Sequence, residues 1–348
     1  SKSSSNRLRF KRNPFFHRID PKGQQLPYID EFIFGIASNK LISAKTGTGE
    51  VDLQARYLRF DDYTFLKKGE DRSPYSTRLW TTAKGSHLAL FPNLNHKNKV
   101  LRSIMQDVRF RRALSMAVNR YEINQVIYYG LAIEGNNTVL PESPLYKPYY
   151  RSKWAQLNLK SANQLLDDMG LIKRGSRGIR LLPDGNPLNL IIETAGESTE
   201  QTDILELIHD SWLKIGIKIY SKPSQRNVFR NRIFSGETAI SIWSGIENGL
   251  ASANSSPAEF APTTQQLLQW PKWGQNFETG GKAGQLPNDP FAIELLKLYR
   301  DWRAEPVFTK REKIWEKILD IHTEQVYSIG LIAGVLQPVV VSNNLKNV

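Results

Sequence analysis

Five histidines, His17, His87, His96, His209 and His322, and the adjacent acid pairs Asp61-Asp62 and Asp167-Asp168 are the residues whose types could bind a metal or move protons. The histidines lie far apart, so a metal cluster or catalytic triad would have to assemble from distant segments, and scattered histidines more commonly serve as surface or core residues. Each acid pair falls on a predicted helix, where neighbouring side chains point different ways, and capping or helix-dipole roles fit better than paired acid–base work. Thr46-Gly47-Thr48-Gly49-Glu50 is glycine-rich but lacks the Gly-Lys-Ser/Thr ending that holds phosphate and magnesium. No nucleophile elbow, H-E-x-x-H zinc helix or EF-hand loop is present, and the absence of cysteine removes thiolate metal sites, thiol nucleophiles and disulfides. Asn136-Asn137-Thr138 matches a glycosylation sequon, read as incidental. The expectation is a chain without catalytic residues, metal or cofactor.

Composition narrows the partners. The chain has 348 residues, 40% hydrophobic and 23% charged, the balance of a water-soluble globular protein long enough for two lobes. No apolar run reaches bilayer-spanning length, and the opening Ser1-Lys2-Ser3-Ser4-Ser5-Asn6 lacks the apolar core of a signal peptide. A net charge of +13 would attract anions such as nucleic acid, yet the basic residues run from Arg7 to Lys346 interleaved with 34 acids. Such dispersion argues against a dedicated nucleic-acid surface.

The elements that must position any site follow from periodicity. Phe32-Ile33-Phe34-Gly35-Ile36 reads as a buried strand, Ser38 as the cap of a short helix, Gly49-Glu50-Val51-Asp52-Leu53 as a turn into a strand, and Leu88-Ala89-Leu90-Phe91-Pro92-Asn93 as a strand stopped by proline. From Asp107 the pattern turns helical, with Val108, Ala113, Leu114, Ala117 and Val118 on one face and Arg109, Arg111 and Arg112 largely off it, a solvated face; a second helix runs from Tyr121 to a C-cap at Gly130. Pro183-Asp184-Gly185 predicts a hairpin joining 179–182 to 188–192. A helix over 199–215 carries Ile204, Leu205, Ile208, Trp212 and Ile215 on its apolar stripe and leads into strand 217–220, with a further helix and then strand 239–243. The stretch 244–290 lacks clear periodicity and is long for a passive connection. Helices near 291–303 and 310–324 and strands at 328–332 and 338–341 close the chain. Alternation of this kind predicts an α/β fold.

Asp107-Val108-Arg109-Phe110-Arg111-Arg112-Ala113-Leu114-Ser115-Met116-Ala117-Val118-Asn119-Arg120 resembles the helical signature of the family 5 extracellular solute-binding proteins, D-V-R-x-R-x-A-L-x-x-A-x-D-R. Further marks follow in the family's order. Arg12-Asn13-Pro14-Phe15-Phe16 resembles its R-N-P segment, Leu26-Pro27-Tyr28-Ile29-Asp30 its P-Y-L-D segment and Gly49-Glu50-Val51-Asp52-Leu53 its S-G-E-I-D strand. Trp212-Leu213-Lys214-Ile215-Gly216-Ile217 resembles its W-x-x-I-G-I/V element and residues 338–348 its closing V-S-N-x-L-x-N segment.

The resemblance implies a two-lobed periplasmic-binding-protein type II fold, with residues 1–85 and 333–348 as an incomplete lobe I, 86–332 as lobe II, and hinge crossings near Gly85 and Gly334. An incomplete lobe I implies an unusually apolar surface near Leu8-Arg9-Phe10. The implied function is the substrate-binding component of an ABC importer, a periplasmic or extracytoplasmic monomer with a membrane permease as partner. It would capture a small solute, an oligopeptide among the candidates, in an interlobe cleft. The turn after strand 239–243 then falls at the ligand, with Trp243 as a flat apolar wall, Ser244 beside it, Glu247 as a charge for a cationic group and Asn248 as a two-way amide. In the family's peptide binders an Asp three residues after this Trp holds the peptide ammonium; Ile246 stands there in this chain. Trp243 reads equally as a core residue. Trp270 and Trp273 are expected either to stack on a ligand near the cleft mouth or to pin down their long loop, and Trp212, Trp302 and Trp315 to be core. Two other functions remain open: the solute-sensing module of a transcriptional regulator, and a glycan hydrolase using an acid pair such as Glu247 and Glu259.

Overall fold

The computed structural model describes residues 6–175 and 177–346. The serine-rich opening at 1–5 and the last two residues of the 338–348 segment lie outside them. Along the described residues the strands are β1 (Arg7–Lys11), β2 (Glu31–Gly35), β3 (Leu53–Gln54), β4 (Tyr75–Thr81), β5 (Leu88–Pro92), β6 (Ile133–Glu134), β7 (Asn189–Thr194), β8 (Lys218–Pro223), β9 (Ile240–Trp243), β10 (Ile329–Ala333) and β11 (Leu336–Ser342). The chain divides into two compact units, one made of residues up to Arg78 together with those from Pro338, the other of Leu79–Gln337. The divisions fall inside β4 and β11.

In the first unit β1 and β2 form an antiparallel ribbon with Leu8 opposite Phe34 and Phe10 opposite Phe32. Every residue of both strands is exposed, so the run 32–36 is a strand but not a buried one. An apolar run signals strand geometry without naming what covers it, and here the side chains meet mainly across the ribbon, with the Phe10 and Phe32 rings 6.5 Å apart. The remaining strands of this unit lie in the order β3-β11-β4. Leu58, Leu66, Tyr75 and Val340 form its small core, and the Tyr75 hydroxyl donates to the Leu66 carbonyl at 2.8 Å.

The second unit is built on a six-stranded sheet in the order β6-β10-β5-β9-β7-β8. The pairs β7–β8 and β7–β9 are parallel and the others antiparallel. Helix Thr199–Leu213 connects β7 to β8, and helix Arg226–Ser235 connects β8 to β9. Chain order β7, β8, β9 becomes spatial order β8-β7-β9, so the winding reverses between β7 and β9, the kind of switch point beyond whose strand ends ligands collect. The Pro183-Asp184-Gly185 turn closes a short antiparallel hairpin, the Leu182 amide donating to the Asn186 carbonyl at 2.8 Å and the Leu188 amide to the Arg180 carbonyl at 2.7 Å about the Leu181–Pro187 bridge. It does not run on to residue 192, because β7 is claimed by its parallel partners. Helix 199–213 buries Ile204, Leu205, Ile208 and Trp212 on one stripe, as its periodicity predicts, and these join the sheet's Leu190, Ile192, Ile240 and Ile242 in the main core.

The arginine-rich helix Val108–Met116 corrects the expectation of a solvated face. Asp107 caps it by accepting the Arg109 amide at 2.8 Å, and Arg109 does lie outward, paired with Asp107 at 2.7 Å. Arg111, however, is fully buried. Its guanidinium donates to the carbonyls of Gln325 at 2.9 Å and Met105 at 2.7 Å and lies 5.1 Å from the Tyr327 ring centre. Arg112 donates to the Glu324 carbonyl at 3.0 Å and carboxylate at 2.9 Å. Arg120 reaches the carbonyls of Gly330, Ser115 and Ala155. A guanidinium carries five donors, so it can be buried where unpaired carbonyls converge, here joining these helices to the end of helix Phe308–Gln325 and to β10.

A second core lies in the same unit. Trp270, Trp273, Phe260 and Tyr327 pack with Leu295, Leu298, Trp315, Ile318 and Leu319 of helices Pro290–Ala304 and Phe308–Gln325. The stretch expected to lack regular structure contains a short turn of helix, Ala258–Phe260, and the helix Pro271–Glu278. Gly334, with φ +63°, makes the left-handed turn between β10 and β11.

Candidate functional site

A pocket of about 120 Å³ opens beyond the end of β9, wholly within the second unit. Whole-ligand pockets usually run to roughly 300–1,000 Å³, so this one is sized for a single group of a larger solute. Its walls come from Phe91 at the end of β5, from Trp243 to Glu247, from Glu259 and Phe260, from 266–269, and from His322 and Ser328.

Trp243 ends β9 half-buried. One part of its indole packs on Phe229, 5.9 Å between ring centres, and the Arg226 guanidinium lies 5.1 Å from the ring centre, itself held by Glu197 at 2.7 Å. Trp243 is thus a buttressed wall that also borders the pocket.

The turn that follows is fixed by its backbone. The Gly245 amide donates to the Ser86 carbonyl at 3.0 Å and the Gly249 amide to Ala83 at 2.7 Å, while the Ile246 carbonyl accepts from Gly85 at 2.8 Å and the Gly249 carbonyl from Leu140 at 2.7 Å. The Ile246 amide donates to Asn137 Oδ1 at 2.8 Å, and Asn137 Nδ2 donates to Ser328 Oγ at 2.9 Å. A Cβ at position 245 would sit 2.3 Å from Asn137 Oδ1 and 2.7 Å from the Ser86 carbonyl oxygen, so glycine is required by close approach.

Two carboxylates border the pocket. Glu247 is exposed and Lys84 Nζ lies 3.5 Å from it while donating to Ser244 Oγ at 2.6 Å. Glu259 is half-buried and accepts the Glu247 amide at 3.4 Å. Burial, then the Glu247 charge, push the Glu259 carboxyl above the usual carboxylate range, against the pull of the Glu247 and Asn248 amides and of Lys84.

His322 donates from Nε2 to the Phe260 carbonyl at 2.6 Å, since a carbonyl can only accept, which leaves Nδ1 as an acceptor. Rings of Phe260, Trp270 and Tyr327 surround it, and burial lowers its pKa to about 4, so the imidazole is neutral at pH 7. Gln269 is 4% exposed and its Oε1 has no hydrogen-bond partner.

Of the residues expected at the ligand, Trp243, Ser244 and Glu247 border the pocket. Asn248 does not: it is exposed and its Oδ1 accepts the Leu250 amide at 3.2 Å, a turn-forming role. For Trp270 and Trp273, the second of the two roles open to them is the one that the packing fits. Both are buried, stacked with ring centres 6.4 Å apart in the second core, and so pin down the long segment instead of offering a face to a ligand. Sequence reasoning missed Asn137, Gln269, His322 and Ser328 as wall residues and saw Glu259 only as a hydrolase acid. Nothing in their spacing marks them, because they converge from separate segments. Among the described residues no group of three or more His, Asp or Glu could hold a metal, and no helix is long and apolar enough to cross a membrane.

Comparison with known proteins places the fold. The model of the bacterial extracellular solute-binding proteins, family 5, middle region, matches residues 2–266. A probable ABC transporter-binding protein of Deinococcus radiodurans is 27% identical over 216 residues, 60% of this chain and 36% of that protein. A periplasmic alpha-galactoside-binding protein of Rhizobium meliloti is 19% identical over 347 residues, 92% of this chain and 47% of that protein. The solved oligopeptide-binding protein OppA superposes with a TM-score of 0.68 at 28% identity, over 99% of this chain and 57% of that one. The chain thus spans between a third and a half of the length of the curated relatives it matches. It has the α/β, type II periplasmic-binding-protein fold and belongs to the bacterial extracellular solute-binding proteins of family 5.

Proposed function

We propose that this chain carries the solute-capturing part of an ABC importer's substrate-binding protein, working outside the cytoplasm with a membrane permease as partner, and that it takes a small solute, an oligopeptide in the first instance. The two compact units are read as the lobes of that protein. The observation that carries the reading is the pocket at the β7/β9 switch point, where a backbone-fixed turn presents Trp243, Ser244 and Glu247. A preorganised turn loses little freedom when a ligand arrives, which is what capture needs. Native mass spectrometry of the purified chain with pooled oligopeptides and oligosaccharides tests it. Retention of a solute, weakened by Trp243→Ala, supports the reading; retention of none refutes it.

A second reading, glycan hydrolysis, has one observation in its favour. Glu247 and Glu259 share a pocket and the raised pKa of Glu259 is what a general acid needs. Release of reducing sugar from raffinose that disappears in Glu259→Gln would establish it.

A further inference from the structure

The turn after β9 is held from behind by two segments that meet each other. Residues 83–86 supply the Ala83 and Ser86 carbonyls and the Gly85 amide, and residues 137–140 supply Asn137 Oδ1 and the Leu140 amide. The segments touch directly: a Cβ at position 85 would lie 2.4 Å from the Thr138 carbonyl oxygen. Both run between regular elements, where no strand ladder takes up the Gly85 and Val139 carbonyls. Arg151, 5% exposed and near the end of helix Pro148–Ser152, reaches both of them. Its Nη2 donates to the Gly85 carbonyl at 3.4 Å and to the Val139 carbonyl at 3.3 Å, while Nε and Nη1 meet no acceptor among the described residues. Gly135, with φ +138°, makes room for the side chain, since a Cβ there would lie 2.3 Å from Arg151 Cγ. A guanidinium buried without a carboxylate and with most of its donors unused is a poor source of stability. What it joins is the better account of its place.

We propose that Arg151 is a positioning residue for the turn: by spanning the Gly85 and Val139 carbonyls it fixes the two supporting segments at one spacing, and through them the turn that presents Trp243, Ser244 and Glu247. Its purpose rests on the solute-capture reading; its geometry does not. The Val139 carbonyl and the Leu140 amide are two ends of one planar peptide unit, so the bond from Arg151 fixes the unit whose N–H holds the Gly249 carbonyl at 2.7 Å. Gly85 carries both the carbonyl that Arg151 takes and the amide that holds the Ile246 carbonyl at 2.8 Å. One side chain thus acts on both ends of the turn without touching it.

The experiment is amide hydrogen–deuterium exchange, read by mass spectrometry, on the intact parent, Arg151→Met and Arg151→Lys, each under conditions where its urea midpoint shows it folded. Methionine fills the volume of the stem and brings no donor. Lysine is the milder change: it keeps a cation but lacks the guanidinium fork that spans two carbonyls. Exchange over residues 243–250 should rise about tenfold or more in both variants, while helix Thr199–Leu213 exchanges as in the parent. Parent-like exchange of the turn in either variant overturns the inference, and so does a rise shared equally by the helix, which marks an ordinary stabilising residue. If Arg151→Met does not fold, Arg151→Lys decides by the same criterion. Native mass spectrometry with the pooled oligopeptides and oligosaccharides of the capture experiment separates the two readings. Weakened retention in the variants joins the loosened turn to capture. A loosened turn with parent-like retention overturns the positioning role, and a loosened turn in a parent that retains nothing leaves that role standing while solute capture falls.

Discussion

Replacing His322 by Gln should make the protein more resistant to acid. The imidazole packs against the rings of Phe260, Trp270 and Tyr327 at the pocket wall and donates to the Phe260 carbonyl, so protonation would place a charge on a largely desolvated ring. Its pKa falls from 6.5 to about 4. With a depressed folded-state pKa, the unfolded chain binds the proton first as pH drops. The stability associated with neutral His322 is therefore complete above pH 6.5 and is lost as pH falls to about 4. The shift corresponds to about 3 kcal/mol, at roughly 1.4 kcal/mol per unit. Gln can still donate to Phe260 and does not titrate. Urea unfolding of parent and His322→Gln, followed by tryptophan fluorescence at about pH 7.5 and about pH 3.5, isolates this contribution, because other groups titrate alike in both and cancel in the difference. The parent should lose about 3 kcal/mol more than the variant between the two conditions. Equal losses, within about 0.5 kcal/mol, would refute the argument from the desolvated imidazole.

Trp243→Ala should cost solute affinity on the order of 1.5 to 3 kcal/mol, whereas Trp212→Ala, which empties the main core, should cost about 3 to 5 kcal/mol of stability and leave the affinity of the folded fraction intact; titration alongside urea unfolding separates them. Gly245→Ala should force Asn137 and the Ser86 carbonyl apart, costing about 1 to 3 kcal/mol and weakening capture of whichever solute the parent retains. Arg232→Met should destabilise by about 3 to 5 kcal/mol, because the bidentate pair at 2.8 and 2.9 Å is the neutralising contact of Glu193, which is 1% exposed; Arg232→Met with Glu193→Leu should recover much of that loss in the same unfolding assay. Raised carboxyl pKa at Glu259 predicts that Glu259→Gln is relatively more stabilising above the ordinary carboxylate range than below it, since the ionised form is the one burial penalises; unfolding midpoints across pH 4 to 8 report the sign.

Local patterns by themselves determined the helix-and-strand rhythm from 199 to 243, the burial of Trp212 and Trp315, and the start of a helix at Asp107. Each of these depends on residues a few positions apart, where helix and strand geometry bring side chains together whatever the rest of the chain does. The ordered motifs likewise identified the family, because they recur in sequence and not in space. Tertiary structure alone decided that Arg111 is buried while Arg109 is not, since burial of a guanidinium depends on the carbonyls of Gln325 and Met105 arriving beside it. It decided that Phe32 and Phe34 are exposed although their run reads as buried, because periodicity reports an apolar face and not its cover. It also put Trp270 and Trp273, for which two readings stood open, in the core, and brought Asn137, Glu259, Gln269 and His322 to the pocket that Trp243 borders. These four come to one pocket from positions spread over almost 200 residues, and no spacing rule spans that distance: their meeting is set by which strands pair and how the second core closes around His322.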